Sequence, residues 1–406
     1  MINIRQHNYD QEEVLLDDQP VVATSCLSET LSEKRLRWSA LLGSHQYHTV
    51  ISQVLAEELP KYTRSTVIPT SLSSIIRECV LILASAPLIF TAVVDGVLTS
   101  QIRTSQVLQR EYDEIQGRAS AQPSIYVHLL ADMAGVAPSA NQYMLIQEVV
   151  LKYIGDTDPE LVYLIDNVTP PGISMEMAIR GHRKQLWTGR NSSRRFQTLA
   201  RFCEGIRARW LETPHGERDM PFAHPPGECG YALNAHARLR QHRRRQSSNY
   251  VMNLTEDVCS YLYTSGILPS IFTMHQYIIY LIFRPSQIRI AEIFCSGLLQ
   301  VWVDNGGGFN HYPAGLSNAS GDKVVMVEWA EHEKYTRTTS RLEGNVSVQR
   351  NGLEEAVYEM DEEMAEAWRR AFEGQIEGDK DGNIAGEWVS EVGHDDTDMG
   401  QLQQHA

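Results

Sequence analysis

The sequence lacks closely paired cysteines. Its 406 residues include six cysteines, and no two of them form a Cys-x-x-Cys pair. Small disulfide-stapled proteins place their cysteines densely and in regular spacings. The scattered pattern argues against a disulfide framework and favours free thiols in a reducing compartment. The six are Cys26, Cys79, Cys203, Cys229, Cys259 and Cys295.

Long apolar runs are also missing. The longest, residues 79–94, has 16 residues and contains Pro87. A membrane-spanning helix needs about 20 apolar residues, and proline breaks a helix, so we expect a buried helix pair at this position. The first 18 residues have no apolar core of the kind found in secretory leaders. The sequence therefore predicts an intracellular protein without membrane insertion.

Catalytic signatures are absent as well. No Gly-Lys-Ser/Thr follows the glycines at 306–308, and neither a GxGxxG fingerprint nor an HExxH pair occurs. Residues 315–319, GLSNA, come near the GxSxG nucleophile elbow without its strand–turn–helix setting. Residues 379–383, DKDGN, begin like a calcium loop, but Ile384 and Ser390 stand where that loop needs Gly and Glu. We expect no enzyme, no cofactor and no bound metal.

One group of residues keeps a zinc-dependent enzyme open as an alternative. It lies in and beside the loop at 213–233, which is rich in Pro, Gly and His. The gaps between its members fit no standard zinc finger or ribbon. The group consists of His215, His224, Cys229, His236 and His242.

The charges are unevenly distributed along the chain. The formal net charge is −15, yet residues 353–406 contain 16 Asp/Glu against three Lys/Arg. Residues 176–245 have the opposite balance, with 15 Lys/Arg against 6 Asp/Glu. A basic middle in an otherwise acidic chain indicates binding to a polyanion, and an acidic end indicates a solvated tail.

Apolar residues recur at spacings of three and four through most of the chain, while alternation of period two is almost absent. We predict a mostly α fold of two helical lobes with a basic cleft between them, a flexible N-terminal arm and an acidic disordered C-terminal tail. Residues 175–212 and 270–283 are assigned to helices, and 324–329, VVMVEW, to either a strand or a helix. The predicted boundaries are 1–33 for the arm, 34–212 for the N-lobe, 213–249 for a basic loop or hinge, 250–352 for the C-lobe and 353–406 for the acidic arm and tail.

The basic middle supplies the candidate RNA-binding residues. On a helix, Arg180, Arg183 and Lys184 would share one face, and Arg190, Arg194 and Arg201 would form a second stripe. Such cations suit a groove that follows a nucleic-acid backbone whatever its base sequence. Trp187, Phe196 and Tyr250 are aromatic residues close by in the sequence. The full set is Arg180, Arg183, Lys184, Arg190, Arg194, Arg195, Gln197, Arg201, Arg238, Arg240, Arg243, Arg244 and Arg245, with the last five in a flexible cluster.

Residues 312–321, YPAGLSNASG, resemble a motif in nucleoproteins of non-segmented negative-strand RNA viruses. The paramyxovirus form is Phe-x4-Tyr-x3-apolar-Ser-x-Ala-Met-Gly, and the spacing from Tyr312 onward is identical. Two positions depart from it, since Phe309 lies three residues before the Tyr and Ser320 replaces the Met. Residues 192–202, SSRRFQTLARF, are similar to an arginine-bearing helix that faces RNA in those proteins. The matching motif positions are Tyr312, Ser317, Ala319 and Gly321.

The resemblance implies a nucleoprotein that polymerises along single-stranded viral RNA and forms the template of the viral polymerase. Its implied partners are viral RNA, further copies of itself, a phosphoprotein and the polymerase. Its implied location is the ribonucleoprotein of the virion and the host cytoplasm. The glycines at 306–308 and the small residues after them would let a turn pack tightly near the RNA. The alternative is a helical scaffold that binds a protein partner without RNA.

Overall fold

Helices make up most of the chain and surround one small sheet, so the predicted mostly α fold is confirmed. The computed structural model describes residues 29–62, 71–155, 157–187, 190–246, 249–316, 321 and 323–359. The helices are α1 (Leu31–Gly43), α2 (Tyr47–Glu58), α3 (Leu72–Ala84), α4 (Leu88–Val94), α5 (Leu98–Gln101), α6 (Gln106–Arg118), α7 (Ala140–Ile154), α8 (Pro159–Asp166), α9 (Met175–Ile179), α10 (Ser193–Glu212), α11 (Ala235–Arg243), α12 (Tyr250–Thr264), α13 (Gln287–Leu299), α14 (Met326–Thr339) and α15 (Leu342–Glu359).

The sheet joins three distant parts of the chain. Its strands are β1 (Ser124–Ala131), β2 (Gly227–Ala232) and β3 (Thr273–Leu281), in the order β2-β1-β3 with both pairings antiparallel. Ser124 lies opposite Ala232 on one side and Leu281 on the other, so the central strand is paired along both edges. Every residue of β1 is buried.

Strand β3 corrects the helix predicted over 270–283. Its core, YIIYLI, is a continuous apolar run without alternation. A strand covered on both faces has no solvent-facing positions, and therefore gives no period-two signal. The predicted basic loop or hinge at 213–249 likewise contains β2 and α11.

Two buried apolar clusters hold the described helices and strands together. The first includes Trp38, Phe90 and Phe294, and the second includes Phe202, Phe272 and others from α7, α8, α10 and α12. Each cluster takes residues from both sides of the 213–249 segment. Among the described residues, those up to Ser347 belong to one compact unit, and residues 348–359 belong to a second. The division of the body into an N-lobe and a C-lobe stays a prediction.

The longest apolar run forms the buried helix pair that the sequence predicts. Ser71 caps α3 by accepting from the backbone N–H of Ser74, and Pro87 stands at the start of α4. Ile82, Ile89 and most of their apolar neighbours are buried. No single described helix has the length and apolar character to cross a membrane, although α3 and α4 together, bent by 106°, pass by length and composition.

Near both ends of the described chain, the helix boundaries differ from the predicted segments. Helix α1 begins at Leu31 with a capping box between Thr30 and Glu33, so it starts inside the predicted arm at 1–33, of which residues 1–28 lie outside the described residues. The ambiguous 324–329 stretch enters α14 at Met326. Helix α15 covers the start of the acidic helix predicted at 353–373, and the tail from 374 lies outside the described residues.

Candidate nucleic-acid interface

The basic stretch at 175–212 is three separate pieces and not one helix. Helix α9 ends at Ile179, a single 3₁₀ turn covers Lys184–Leu186, and α10 begins at Ser193. Gly181, with a φ of +83°, takes the left-handed conformation that glycine adopts most readily. The prediction that Arg180, Arg183 and Lys184 share a helix face is therefore wrong.

Two arginines in the first turn of helix α10 lie against aromatic side chains. Ser192 caps the helix by accepting from the backbone N–H of Arg195. The Arg194 guanidinium lies over the Tyr312 ring at 5.1 Å from its centre, and that of Arg195 over the Tyr250 ring at 4.7 Å. These distances suit cation–π contacts. The contacts bring together the two stretches that carry the sequence resemblance.

His311 links the two aromatic partners of these arginines. Its ring centre lies 4.3 Å from that of Tyr312 and 5.1 Å from that of Tyr250. Burial lowers the pKa of His311 to about 4, against an opposing backbone hydrogen bond to Phe309. The imidazole is neutral at physiological pH, so the positive charge of this cluster comes from the arginines. The sequence reasoning did not single out His311.

Exposed aromatic rings accompany the arginines. Phe196, on the first turn of α10, is 43% exposed, and Trp187, just before the helix, is 45% exposed with its ring 4.4 Å from that of His182. Arg190 and Gln197 are exposed as well. A water-facing phenylalanine and tryptophan beside arginines offer flat apolar surfaces next to positive charge. We give the name α10 entry surface to five residues that lie close together in the sequence at and just before the start of α10: Trp187, Arg190, Arg194, Arg195 and Phe196.

The glycine-rich stretch fixes the Tyr312 loop to the body. Gly306, with a φ of +68°, accepts at its carbonyl from the Arg209 guanidinium. A Cβ on Gly307 would lie 1.7 Å from the carbonyl oxygen of Gln300, and one on Gly308 would lie 1.7 Å from that of Gly227. The glycines therefore allow close backbone packing, as the sequence predicts for this turn.

Of the remaining motif residues, the structure describes Gly321. A Cβ on Gly321 would come within 2.6 Å of the Ile288 side chain and 2.9 Å of the Tyr231 hydroxyl, so this glycine serves close packing. It is not among the glycines with positive φ. Ser317 and Ala319 lie outside the described residues.

Several predicted RNA-binding cations have structural partners. Arg183 is buried and donates to the backbone carbonyls of Tyr153 and Gly155. Lys184 donates through its Nζ to the carbonyl of Thr169. Arg201 forms a bidentate pair with Asp304 at 2.6 and 2.8 Å. Arg180, just after α9, is exposed and pairs with Glu176 of that helix. These contacts give the four side chains structural roles, and Arg195 has such a role as well, since its guanidinium donates to the backbone carbonyl of Gln185 at 3.3 Å.

Asp166 organises the turn that contains Lys184. The Tyr153 hydroxyl donates to one of its carboxylate oxygens at 2.7 Å, and the backbone N–H of Lys184 donates to the other at 2.8 Å. Burial outweighs these hydrogen bonds and raises the pKa of Asp166 to about 6. The folded protein therefore binds a proton at this carboxyl that the unfolded chain releases near pH 4.

This raised pKa predicts a loss of stability with rising pH. Between about pH 4 and pH 6 the native state binds more protons at Asp166 than the unfolded state, so the free energy of unfolding falls as the pH rises. The expected loss is about 3 kcal/mol. Urea unfolding at several pH values should show it in the wild type and not in Asp166→Asn. An equal slope in both proteins would contradict the assignment.

The cluster at 238–245 is not a free arginine run. Arg240 and Arg243 lie on α11 and are exposed, as is Arg244 just after it. Arg238 donates to the Tyr126 hydroxyl at 3.3 Å, and Arg245 pairs with Glu256 at 2.9 Å. The helix and these pairings correct the prediction of a flexible cluster in the described part of this segment.

The five His and Cys residues of the zinc alternative do not form one site. His236 contacts the carbonyl of Gln116, while the backbone N–H of Cys229 donates to Asn310. In the part of the chain that the structure describes, one group brings three metal-binding side chains within reach of each other, and it shares only His242 with the predicted set. Its other members, His128 and Glu228, carried no recognisable spacing signal because they belong to different strands.

Comparison with protein-family models, with curated proteins and with solved structures gives no match to this chain.

Proposed function

We propose that this protein binds single-stranded RNA through the α10 entry surface and coats viral RNA as a nucleoprotein. The observation that carries the proposal is the pairing of Arg194 and Arg195 with aromatic rings beside the exposed Phe196 and Trp187. Proteins that bind single strands without sequence preference combine cations along the backbone with aromatic rings on which bases stack.

The arrangement of charge suits a ligand of repeated phosphates. The contacts to Tyr312 and Tyr250 hold two neighbouring guanidiniums at the start of α10, and guanidinium groups match the geometry of phosphate oxygens. Arg190 adds a further exposed cation before the helix. Phosphate contacts of this kind bind any sequence, as coating a whole genome demands.

The step from RNA binding to a nucleoprotein is supported by the resemblance. The two stretches with the family-like motifs are distant in the sequence, and Arg194 and Tyr312 bring them into contact. In this proposal the chain also self-associates along the RNA and recruits a phosphoprotein and polymerase in the host cytoplasm and the virion. A protein-binding scaffold, the alternative, would need none of the exposed rings for stacking.

Binding to unrelated single-stranded RNAs tests the proposal. The logarithm of the association constant should fall with the logarithm of the salt concentration, by about 0.7 per phosphate neutralised. Phe196→Ala should weaken binding by about 5- to 100-fold, the loss expected for one stacked base. The salt slope should stay unchanged because no charge is removed. Fluorescence anisotropy with labelled oligonucleotides measures both quantities.

Leu211→Ala is the matched control for this measurement. Leu211 lies on the same helix, near its other end, and is also exposed. It has the same apolar character but no aromatic ring, so its removal should leave RNA affinity unchanged. Equal affinity losses in the two variants, or no RNA binding by the wild type, would reject the proposed function.

A further inference from the structure

A cluster of imidazole and carboxylate side chains lies on the sheet beneath α11. His128 of β1 stands directly opposite Glu228 of β2 in the antiparallel register, so both side chains project from one face. His242, on the last turn of α11, adds its ring at 4.4 Å from that of His128, centre to centre. The ligand atoms of the three residues all lie within 4.8 Å of one another.

The cluster is closed to solvent. His128 is fully buried, His242 is 3% exposed and Glu228 is 7% exposed. Tyr126, two residues before His128 on the same strand face, places its hydroxyl 3.3 Å from Nε2 of His242. Gly230 makes room for this ring, because a Cβ there would lie 2.5 Å from the Tyr126 hydroxyl.

Hydrogen bonds within the cluster leave two ring nitrogens unsatisfied. Nδ1 of His128 lies 2.5 Å from a Glu228 oxygen, but Nε2 of His128 and Nδ1 of His242 have no hydrogen-bond partner. Buried polar atoms without partners are unfavourable. Rotation of an imidazole about its Cβ–Cγ bond exchanges each ring nitrogen with a ring carbon, so a change of ring orientation can direct a nitrogen to a common centre.

From this geometry we propose that His128, Glu228 and His242 bind one Zn²⁺ ion. Two histidines and one glutamate form a known zinc ligand set, with metal–nitrogen distances near 2.0–2.1 Å and a similar metal–oxygen distance. Tetrahedral ligands at such distances lie about 3.4 Å apart, so the His128–Glu228 contact opens slightly and His242 moves inward. This proposal replaces the expectation, drawn from the sequence, that the protein binds no metal.

The ion would connect three separate secondary-structure elements. Its ligands come from β1, β2 and α11, and α11 carries the exposed Arg240 and Arg243. Bound Zn²⁺ would therefore hold the basic helix against the sheet. The Tyr126 oxygen or a water molecule completes the coordination. This inference is independent of RNA binding and of the α10 entry surface.

Metal titration of the full-length protein tests the site. The protein is freed of nucleic acid by high salt, treated with a chelator, and titrated with Co²⁺ in excess Mg²⁺, which saturates sites built from carboxylates alone. We expect one Co²⁺ per chain with visible absorption bands of four- or five-coordinate cobalt. Zn²⁺ should displace the Co²⁺ and raise the thermal midpoint of unfolding.

Single substitutions locate the ion. Glu228→Gln and His242→Asn should each weaken Co²⁺ binding by at least about 10-fold, the low end of losses for disturbed metal sites. His236→Asn is the control, because His236 lies on the same helix, contacts the Gln116 carbonyl and is not one of the three proposed ligands. Unchanged Co²⁺ binding in both ligand variants would overturn the proposal.

X-ray absorption at the zinc edge tests the same site in the unaltered protein, and remains decisive where a variant fails to fold. The expected spectrum contains two imidazoles and oxygen with no sulfur. Sulfur ligands would assign the metal to cysteines and overturn the proposal. Absence of stoichiometric Zn²⁺ binding by the wild type would overturn it as well.

Discussion

Reversing the charges of Arg194 and Arg195 together is expected to remove co-purifying RNA. Both arginines stand at the start of α10, and their guanidiniums lie over the rings of Tyr312 and Tyr250. The double change to Glu replaces two attractions for phosphate with two repulsions. RNA affinity should fall by at least about tenfold, and the salt slope should become less negative by about 1.4. The ratio of absorbance at 260 and 280 nm and an anisotropy titration measure these effects.

A second double variant controls for net charge. Arg103 and Arg110 are exposed, and Arg110 lies on α6, which packs against the first apolar cluster. Changing both to Glu alters the net charge by the same amount and should leave most of the RNA bound. Arg194→Lys with Arg195→Lys keeps the charge, and should retain the salt slope while weakening the aromatic contacts. RNA retention by the doubly reversed α10 variant would refute the proposed site.

Gly308→Ala is expected to destabilise the protein severely. The added methyl group would meet the backbone carbonyl of Gly227 at 1.7 Å, and the N–H of Phe309 donates to that same carbonyl at 2.8 Å. Backbone atoms of β2 cannot rotate away as a side chain can, so either the loop or the strand must shift. We expect a loss of about 3 kcal/mol or more in the free energy of unfolding, measured by urea denaturation.

Gly117→Ala is the matched control. Gly117 lies within α6, and a Cβ there would meet no heavy atom within 4 Å. Alanine reduces the freedom of the unfolded chain and favours the helix, so this variant should gain about 0.5–1 kcal/mol. A similar small change at Gly308 would show that the loop does not pack against β2 as described.

Sequence periodicity predicted the helices well and the sheet poorly. The runs at 72–84 and 140–154 have one apolar face, and both form helices. Strand β1 reads SIYVHLLA, with apolar residues at positions that point to both faces. Its burial on both sides depends on partners that lie about 100 and 150 residues later, so local spacing contains no signal for it.

The candidate surface was partly predictable because composition marks it. Arg194 and Arg195 stand in a basic stretch, and Tyr312 was selected by a motif. The contact between Arg194 and Tyr312 was not predictable from spacing, since the two residues lie 118 positions apart in the chain. The same limit explains why the local charge led to the prediction that Arg183 binds RNA. Its burial beneath Tyr153 and Gly155 depends on tertiary packing, and a count of cations cannot show it.

The order of strands in the sheet sets the order in which the chain can fold during synthesis. β1 occupies the centre, yet both of its neighbours are made later, and the last of them ends at Leu281. At about 5–20 residues per second, the ribosome needs several seconds or more after β1 to supply β3. During that interval β1 has open edges that attract other strands. A chain of this topology therefore leaves an edge of β1 open to other copies until β3 arrives.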